Sequence, residues 1–114
     1  MAGIADRFSE YRVMWLLVFF DMPTETKAQR KAYTDFRKRL IADGFTMFQF
    51  SLYIRHCQTW ESAEVHRKRV KAILPKWGEI GILTITDKQF SQIELSRGEK
   101  RPVAPPPTMQ LELF

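Results

Sequence analysis

The run Val13-Met-Trp-Leu-Leu-Val-Phe-Phe20 is apolar without a break, ends at Asp21 and is followed by Pro23. A run of this length and composition is a strand buried in the middle of a sheet, and the proline stops pairing just beyond it. Everything downstream must be arranged to cover that strand.

The next segment has helical spacing. Thr24 or Thr26 can cap a helix whose Ala28, Ala32, Tyr33, Phe36, Leu40 and Ile41 recur at helical intervals, with Gly44 as the stop signal. Its other face carries Lys27, Arg30, Lys31, Arg37, Lys38 and Arg39. Phe45 to Cys57 alternates loosely and is rich in aromatic and β-branched residues, which predicts two short strands broken near Gln49-Phe50-Ser51. A second helix is expected from about Trp60 to Leu74, with Ala63, Val70, Ile73 and Leu74 inside and Arg67, Lys68, Arg69 and Lys71 outside. Glu79 to Thr86 reads as a further strand and Gln92 to Leu95 as a short fifth.

The predicted fold is therefore α+β, a ferredoxin-like β-α-β-β-α-β unit over residues 13–96. Right-handed crossovers put the first and third strands at the centre of an antiparallel sheet, with both helices on one face. Residues 1–12 form an N-terminal extension, 97–107 a linker with four prolines, and 108–114 a short C-terminal strand by its alternation. That last segment is expected to add to a sheet edge. The uncovered sheet face also carries large apolar side chains, which points to a homodimer.

Composition narrows the partners. The chain has 114 residues, enough for one core, and 45% of them are hydrophobic. The net charge is +5, which favours an anionic partner such as nucleic acid. The single cysteine, Cys57, cannot close an intrachain disulfide, and a reducing cytoplasm is the natural compartment. Residues 1–12 do not read as a signal peptide, and the longest apolar run is far too short to span a bilayer, so no membrane role is expected.

Asp21 is the foremost candidate for chemistry. A carboxylate where a central strand leaves the sheet can hold Mg²⁺ together with waters and a phosphate. The topology brings Ser51 to the same edge and sets Glu79 nearby. A strand-ending aspartate also has a purely structural use, accepting backbone hydrogen bonds in a turn. One carboxylate is too few for a two-metal arrangement, and a dimer could supply a second copy. His56 and His66 read as surface or edge residues without a carboxylate partner at helical spacing. Phosphate-binding glycine loops, CxxC and HExxH are absent from the sequence. Lys27, Arg30, Lys31, Arg37, Lys38, Arg39, Arg67 and Arg69 are the candidate nucleic-acid contacts. Acidic counterions are sparse there, with only Asp35 between Lys27 and Arg39. Such cations position a phosphate backbone without reading sequence.

Taken in order and spacing, Leu17-Val-Phe-Phe-Asp21, the basic helix, Gln49-Phe-Ser-Leu-Tyr-Ile-Arg55 and Leu83-Thr-Ile-Thr-Asp-Lys-Gln-Phe90 resemble the CRISPR-associated protein two family, nearest its type II branch. The resemblance covers Trp15 to Gln92. It implies a ferredoxin-like homodimer in the spacer-acquisition complex, bridging dimers of the CRISPR integrase and supporting captured DNA. It also implies a metal-dependent endonuclease acting on RNA or DNA, with Asp21 as catalytic residue and Mg²⁺ ligand. Many family members have an arginine where this chain has Met47, and the family's first-helix arginines match only Arg30 or Lys31 approximately. The alternative is a toxin-type ribonuclease of the VapD kind, which shares the fold class. A single-stranded RNA binder of this topology is disfavoured, because the central strands lack the aromatic RNP signature.

Overall fold

The computed structural model describes residues 13–98. Strand β1 (Met14–Asp21) is followed by helix α1 (Lys27–Ala42), strands β2 (Thr46–Gln49) and β3 (Leu52–Cys57), helix α2 (Trp60–Ala72), strand β4 (Glu79–Thr86) and the short helix α3 (Asp87–Ser91). The sheet order is β2-β3-β1-β4 with every neighbouring pair antiparallel. The first and third strands are central, as the crossover rule requires, and the fold is the expected ferredoxin-like α+β arrangement.

The pleat of β1 divides the interior into two layers. Met14, Leu16, Val18 and Phe20 face the helices and pack with Phe36 and Leu40 of α1, Tyr53 and Cys57 of β3, and Ala63 and Val70 of α2. Burying side chains of this size contributes about 1.5–3 kcal/mol each, so this layer fixes both helices on one face of the sheet. Trp15 points the other way and forms a second cluster with Phe48, Ile54 and Phe90.

Local signals set the element ends. Thr26, rather than Thr24, caps α1, and Gln29 reaches back to complete a capping box. The β2–β3 turn is tight, and Ser51 holds a left-handed φ of 66° there. A β-bulge between Met47 and Gln49 puts Phe48 in the second cluster. Three stripe assignments change: Ala28 and Ile41 are exposed, and α2 stops at Ala72, leaving Leu74 exposed beyond it.

The predicted fifth strand at Gln92–Leu95 does not form. Thr86 instead starts α3 through a capping box with Gln89, and Gln92 is the C-cap of that helix. Helix α3 folds back over the sheet's second face. Phe90 stacks on Trp15 with centroids 3.9 Å apart, and Trp15 Nε1 donates to Asp87 Oδ1 at 2.7 Å. Two of its residues still pack: Ile93 and Leu95 lie against the second cluster without a ladder partner among the described residues. The second face is thus half covered, not open throughout. Its far half still exposes Phe19 and Leu83, each 49% accessible. The N-terminal extension, most of the proline linker and the predicted strand 108–114 lie outside the described residues. No helix among the described residues is long and apolar enough to cross a membrane.

Candidate functional site

The end of β1 carries the strand-end carboxylate. Asp21 is exposed, on the same pleat face as Phe19, and its direct partner across the β1–β4 ladder is Glu79. Side chains directly opposite on neighbouring strands stand about 4.5–5.5 Å apart at Cβ, and like charges in that position repel. Neither carboxylate has an ion-pair or hydrogen-bond partner among the described residues. Ser51 arrives from the β2–β3 turn, where its carbonyl accepts from Phe20 N–H at 3.1 Å. Asp21, Ser51, Glu79, Phe19, Phe20, Ile80 and Gly81 line one shallow depression. The expectation that Asp21, Ser51 and Glu79 share an edge is met.

Two glycines shape this corner. Gly78 has φ +100°, and a Cβ there would lie 2.6 Å from the Asp21 carbonyl oxygen. Gly81 leaves the space occupied by the Phe19 ring, which a Cβ would meet at 2.2 Å.

The basic residues fall into two groups. Arg30 donates to the carbonyls of Thr24 and Glu25, Lys31 pairs with Asp35 at 3.0 Å, and Arg37 Nε donates to Tyr53 Oη. Arg67 pairs with Glu64 at 2.8 Å, and Arg69 with Asp43 at 2.9 Å. Lys27, Lys38 and Arg39 are exposed and make no ion pair among the described residues. The sequence pattern placed all eight on helix surfaces and did not distinguish the engaged from the free.

His66 is the clearest correction. It is buried between Ala63 and Val70 in the inner stripe of α2, and its Nδ1 lies 2.7 Å from Asp43 Oδ2. Asp43 is the C-cap of α1, so its distance in sequence hid the pairing. Burial alone would raise the Asp43 carboxyl, but the hydrogen bonds and charges of His66 and Arg69 outweigh it and hold the group below the usual aspartate value. Arg55, which spacing did not single out, donates Nε to the Asp43 carbonyl at 2.7 Å and Nη1 to the His56 carbonyl at 2.8 Å. These residues tie α1, α2 and β3 together on the helix side of the sheet, away from the Asp21 face. Cys57 is buried, and that burial pushes its thiol up, which disfavours the reactive thiolate.

The family described as CRISPR associated protein Cas2 matches residues 14–93. The chain belongs to this family. A CRISPR-associated endoribonuclease Cas2 of Flavobacterium psychrophilum is 55% identical over 108 residues, covering 95% of this chain and 94% of the relative. One of Parvibaculum lavamentivorans is 52% identical over 101 residues, covering 89% of this chain and all of the relative. One of Paracidovorax avenae is 40% identical over 104 residues, covering 91% and 96%.

The matched span holds both the carboxylate pair and the basic helices. Among the described residues there is no group of three or more His, Cys, Asp or Glu close enough to hold a metal ion. Asp21 and Glu79 nevertheless fit one kind of cation. Mg²⁺ keeps several waters and takes one or two carboxylates plus phosphate oxygens, without needing an all-protein cage. Two solvent-facing carboxylates opposite one another, with no neutralising partner, are donors of that type.

Proposed function

We propose that the chain is the small subunit of a CRISPR spacer-acquisition complex, a homodimer that bridges integrase dimers and supports a captured DNA fragment. The observation that carries this reading is the sheet's half-covered second face. Phe19 and Leu83 are exposed there beside Leu17 and Leu52, a patch that a second copy would bury. Dimerisation over that face leaves both basic helices outward, where Lys27, Lys38 and Arg39 can meet phosphates.

A second capacity, metal-dependent endonuclease activity, is favoured by the Asp21–Glu79 pair and by the names of the relatives. Mg²⁺ would be held by Asp21 with Glu79, and when bound it would supply charge neutralisation at the scissile phosphate and a more acidic water. Asp21 and Ser51 both line the depression, and the hydrogen bond from Phe20 N–H to the Ser51 carbonyl ties that wall to β1. Dimer formation would bring a second Asp21 to complete the donor set.

The test is reconstitution of spacer integration with purified integrase, comparing the wild-type chain with Asp21→Ala. Integration retained by Asp21→Ala supports the architectural role. Failure of the wild-type chain to join the integrase, with cleavage intact, favours a stand-alone ribonuclease of the VapD kind.

A further inference from the structure

Phe50 is 82% exposed, the most accessible large apolar side chain among the described residues. It does not dangle. It occupies the two-residue β2–β3 turn, whose next residue, Ser51, is locked at φ 66° and pinned to β1 by the Phe20 N–H. Its ring stacks on Tyr33 of α1, with centroids 6.4 Å apart and planes 28° from parallel. Tyr33 in turn meets Phe20 edge-on at 5.9 Å, and Phe20 stacks on buried Tyr53 at 5.7 Å. A chain of rings therefore runs from the core to a solvent-facing aromatic plane and holds it in position.

Two features define what would lie on that plane. Helical spacing puts Arg30 and Arg37 one turn either side of Tyr33, on the same face of α1. Both are exposed, and beyond the bonds of Arg30 to the Thr24 and Glu25 carbonyls and of Arg37 to Tyr53 Oη each guanidinium keeps further N–H donors. The other side of the turn is Ser51, a wall of the Asp21 depression. An exposed ring with guanidinium groups on one flank matches a nucleotide, with its base on the ring and its phosphate toward the arginines; the strand-end carboxylates on the other flank repel a phosphate unless a cation lies between. A paired base inside a duplex hides both its faces, so a ring at a turn can stack only on an unpaired one.

We infer that Phe50, backed by Tyr33, is a stacking platform for an unpaired base next to the Asp21 site, and so makes the chain select single-stranded or frayed nucleic acid there. The inference rests on the nucleic-acid reading above and adds a positioning residue to it. The platform lies on a turn rather than on the central strands, which is why the absence of an RNP-like pattern there does not exclude it.

The experiment uses the full chain and a short single strand carrying a fluorescent adenine analogue whose emission is quenched on stacking, with a duplex of the same sequence as comparison. Wild-type protein quenches the single strand. Phe50→Leu keeps the thermal midpoint, weakens single-strand binding roughly five- to hundredfold and loses the quench. In Phe50→Leu, duplex binding and its salt dependence stay as in wild type, and Phe50→Trp restores both signals. Equal single-strand binding and quenching by wild type and Phe50→Leu overturns the platform while leaving nucleic-acid binding standing. Loss of dimer mass in Phe50→Leu by sedimentation, with binding otherwise intact, assigns the ring to a protein contact and also overturns it. A wild-type chain that binds neither strand nor duplex removes the nucleic-acid reading itself, and the platform with it.

Discussion

His66 Nδ1 lies 2.7 Å from Asp43 Oδ2, joining the middle of α2 to the C-terminal cap of α1. Arg69 takes the other carboxylate oxygen, and Arg55 takes the Asp43 carbonyl. Two helices that meet the sheet mainly through apolar contacts thereby acquire a polar clamp to each other. Helical spacing could not reveal it, because the partners stand 23 residues apart.

This clamp predicts an acid-sensitive part of stability. The Asp43 carboxyl is held below its ordinary value in the folded chain, so the folded state favours its ionised form. That contribution is complete above the unfolded value, about pH 4. It fades as pH falls through the lower folded value. Asp43→Asn should cost roughly 1.5–3 kcal/mol at neutral pH, the usual scale for hydrogen bonds to charged groups. Urea midpoints measured against pH should differ most above about pH 4 and converge in acid. A constant gap across that range would assign the loss to shape rather than charge.

Gly78 supports a prediction about the strand-end corner. At φ +100° with the Asp21 carbonyl 2.6 Å from its missing Cβ, the position excludes a side chain on both backbone and steric grounds. Gly78→Ala should destabilise the chain by about 1–3 kcal/mol and shift the end of β1. Amide chemical shifts of Phe20 to Met22 report the second effect. Gly81→Ala is the contrast, since there the clash is with the far edge of the half-exposed Phe19 ring, which can swing into solvent. Its stability cost should be smaller, with the change felt at the apolar face.

The main strands were legible because their signals are continuous. Val13–Phe20 and Glu79–Thr86 are long apolar or β-branched runs, and the observed β1 and β4 fall on them within one residue. The β2–β3 break sits at the expected turn for the same reason. Helix α3 was missed although its signal was present: Thr86-Asp-Lys-Gln89 is a capping box, the device that also starts α1 at Thr26-Lys-Ala-Gln29. The apolar Ile93 and Leu95 of the expected strand do pack against the second cluster, but an apolar residue reports a packed face whether or not a ladder forms. At the site, the meeting of Asp21, Ser51 and Glu79 followed from topology. Which cations were free did not, because Asp43 and Tyr53 reach Arg69 and Arg37 only through the tertiary fold.

That division among the cations sets a binding prediction. Lys27, Lys38 and Arg39 have no ion-pair partner among the described residues, so phosphate contact costs them none of the ion pairs seen there. The triple Ala variant should weaken binding alike for all duplex sequences. It should lower the log–log salt slope by about 0.9 per lost contact, hence up to about 2.7 in total. Arg67→Ala, which removes a residue paired with Glu64, should move the slope less. Filter-binding titrations over a salt series measure both, and an unchanged slope in the triple variant would remove these residues as contacts.

The last prediction uses the repulsion between Asp21 and Glu79. Opposed carboxylates without a partner cost stability, on the order of 0.2–1 kcal/mol for a cross-strand pair. Asp21→Asn keeps the shape and removes one charge. It should therefore raise the urea midpoint slightly, while lowering metal-dependent cleavage roughly a hundredfold or more, since several kcal/mol of charge stabilisation at the phosphate would go with it. Glu79→Gln should relieve the same repulsion with a smaller loss of cleavage, because Asp21 can still hold the ion. Mg²⁺ added without nucleic acid should stabilise wild type more than either variant, for a cation between the carboxylates screens the pair only where both charges remain. Stability and cleavage moving in opposite directions is the signature of a site that holds charge for function. A variant that loses stability along with cleavage would instead make Asp21 a turn residue, accepting backbone hydrogen bonds at the end of β1, and cleavage that survives Asp21→Asn would move the chemistry elsewhere.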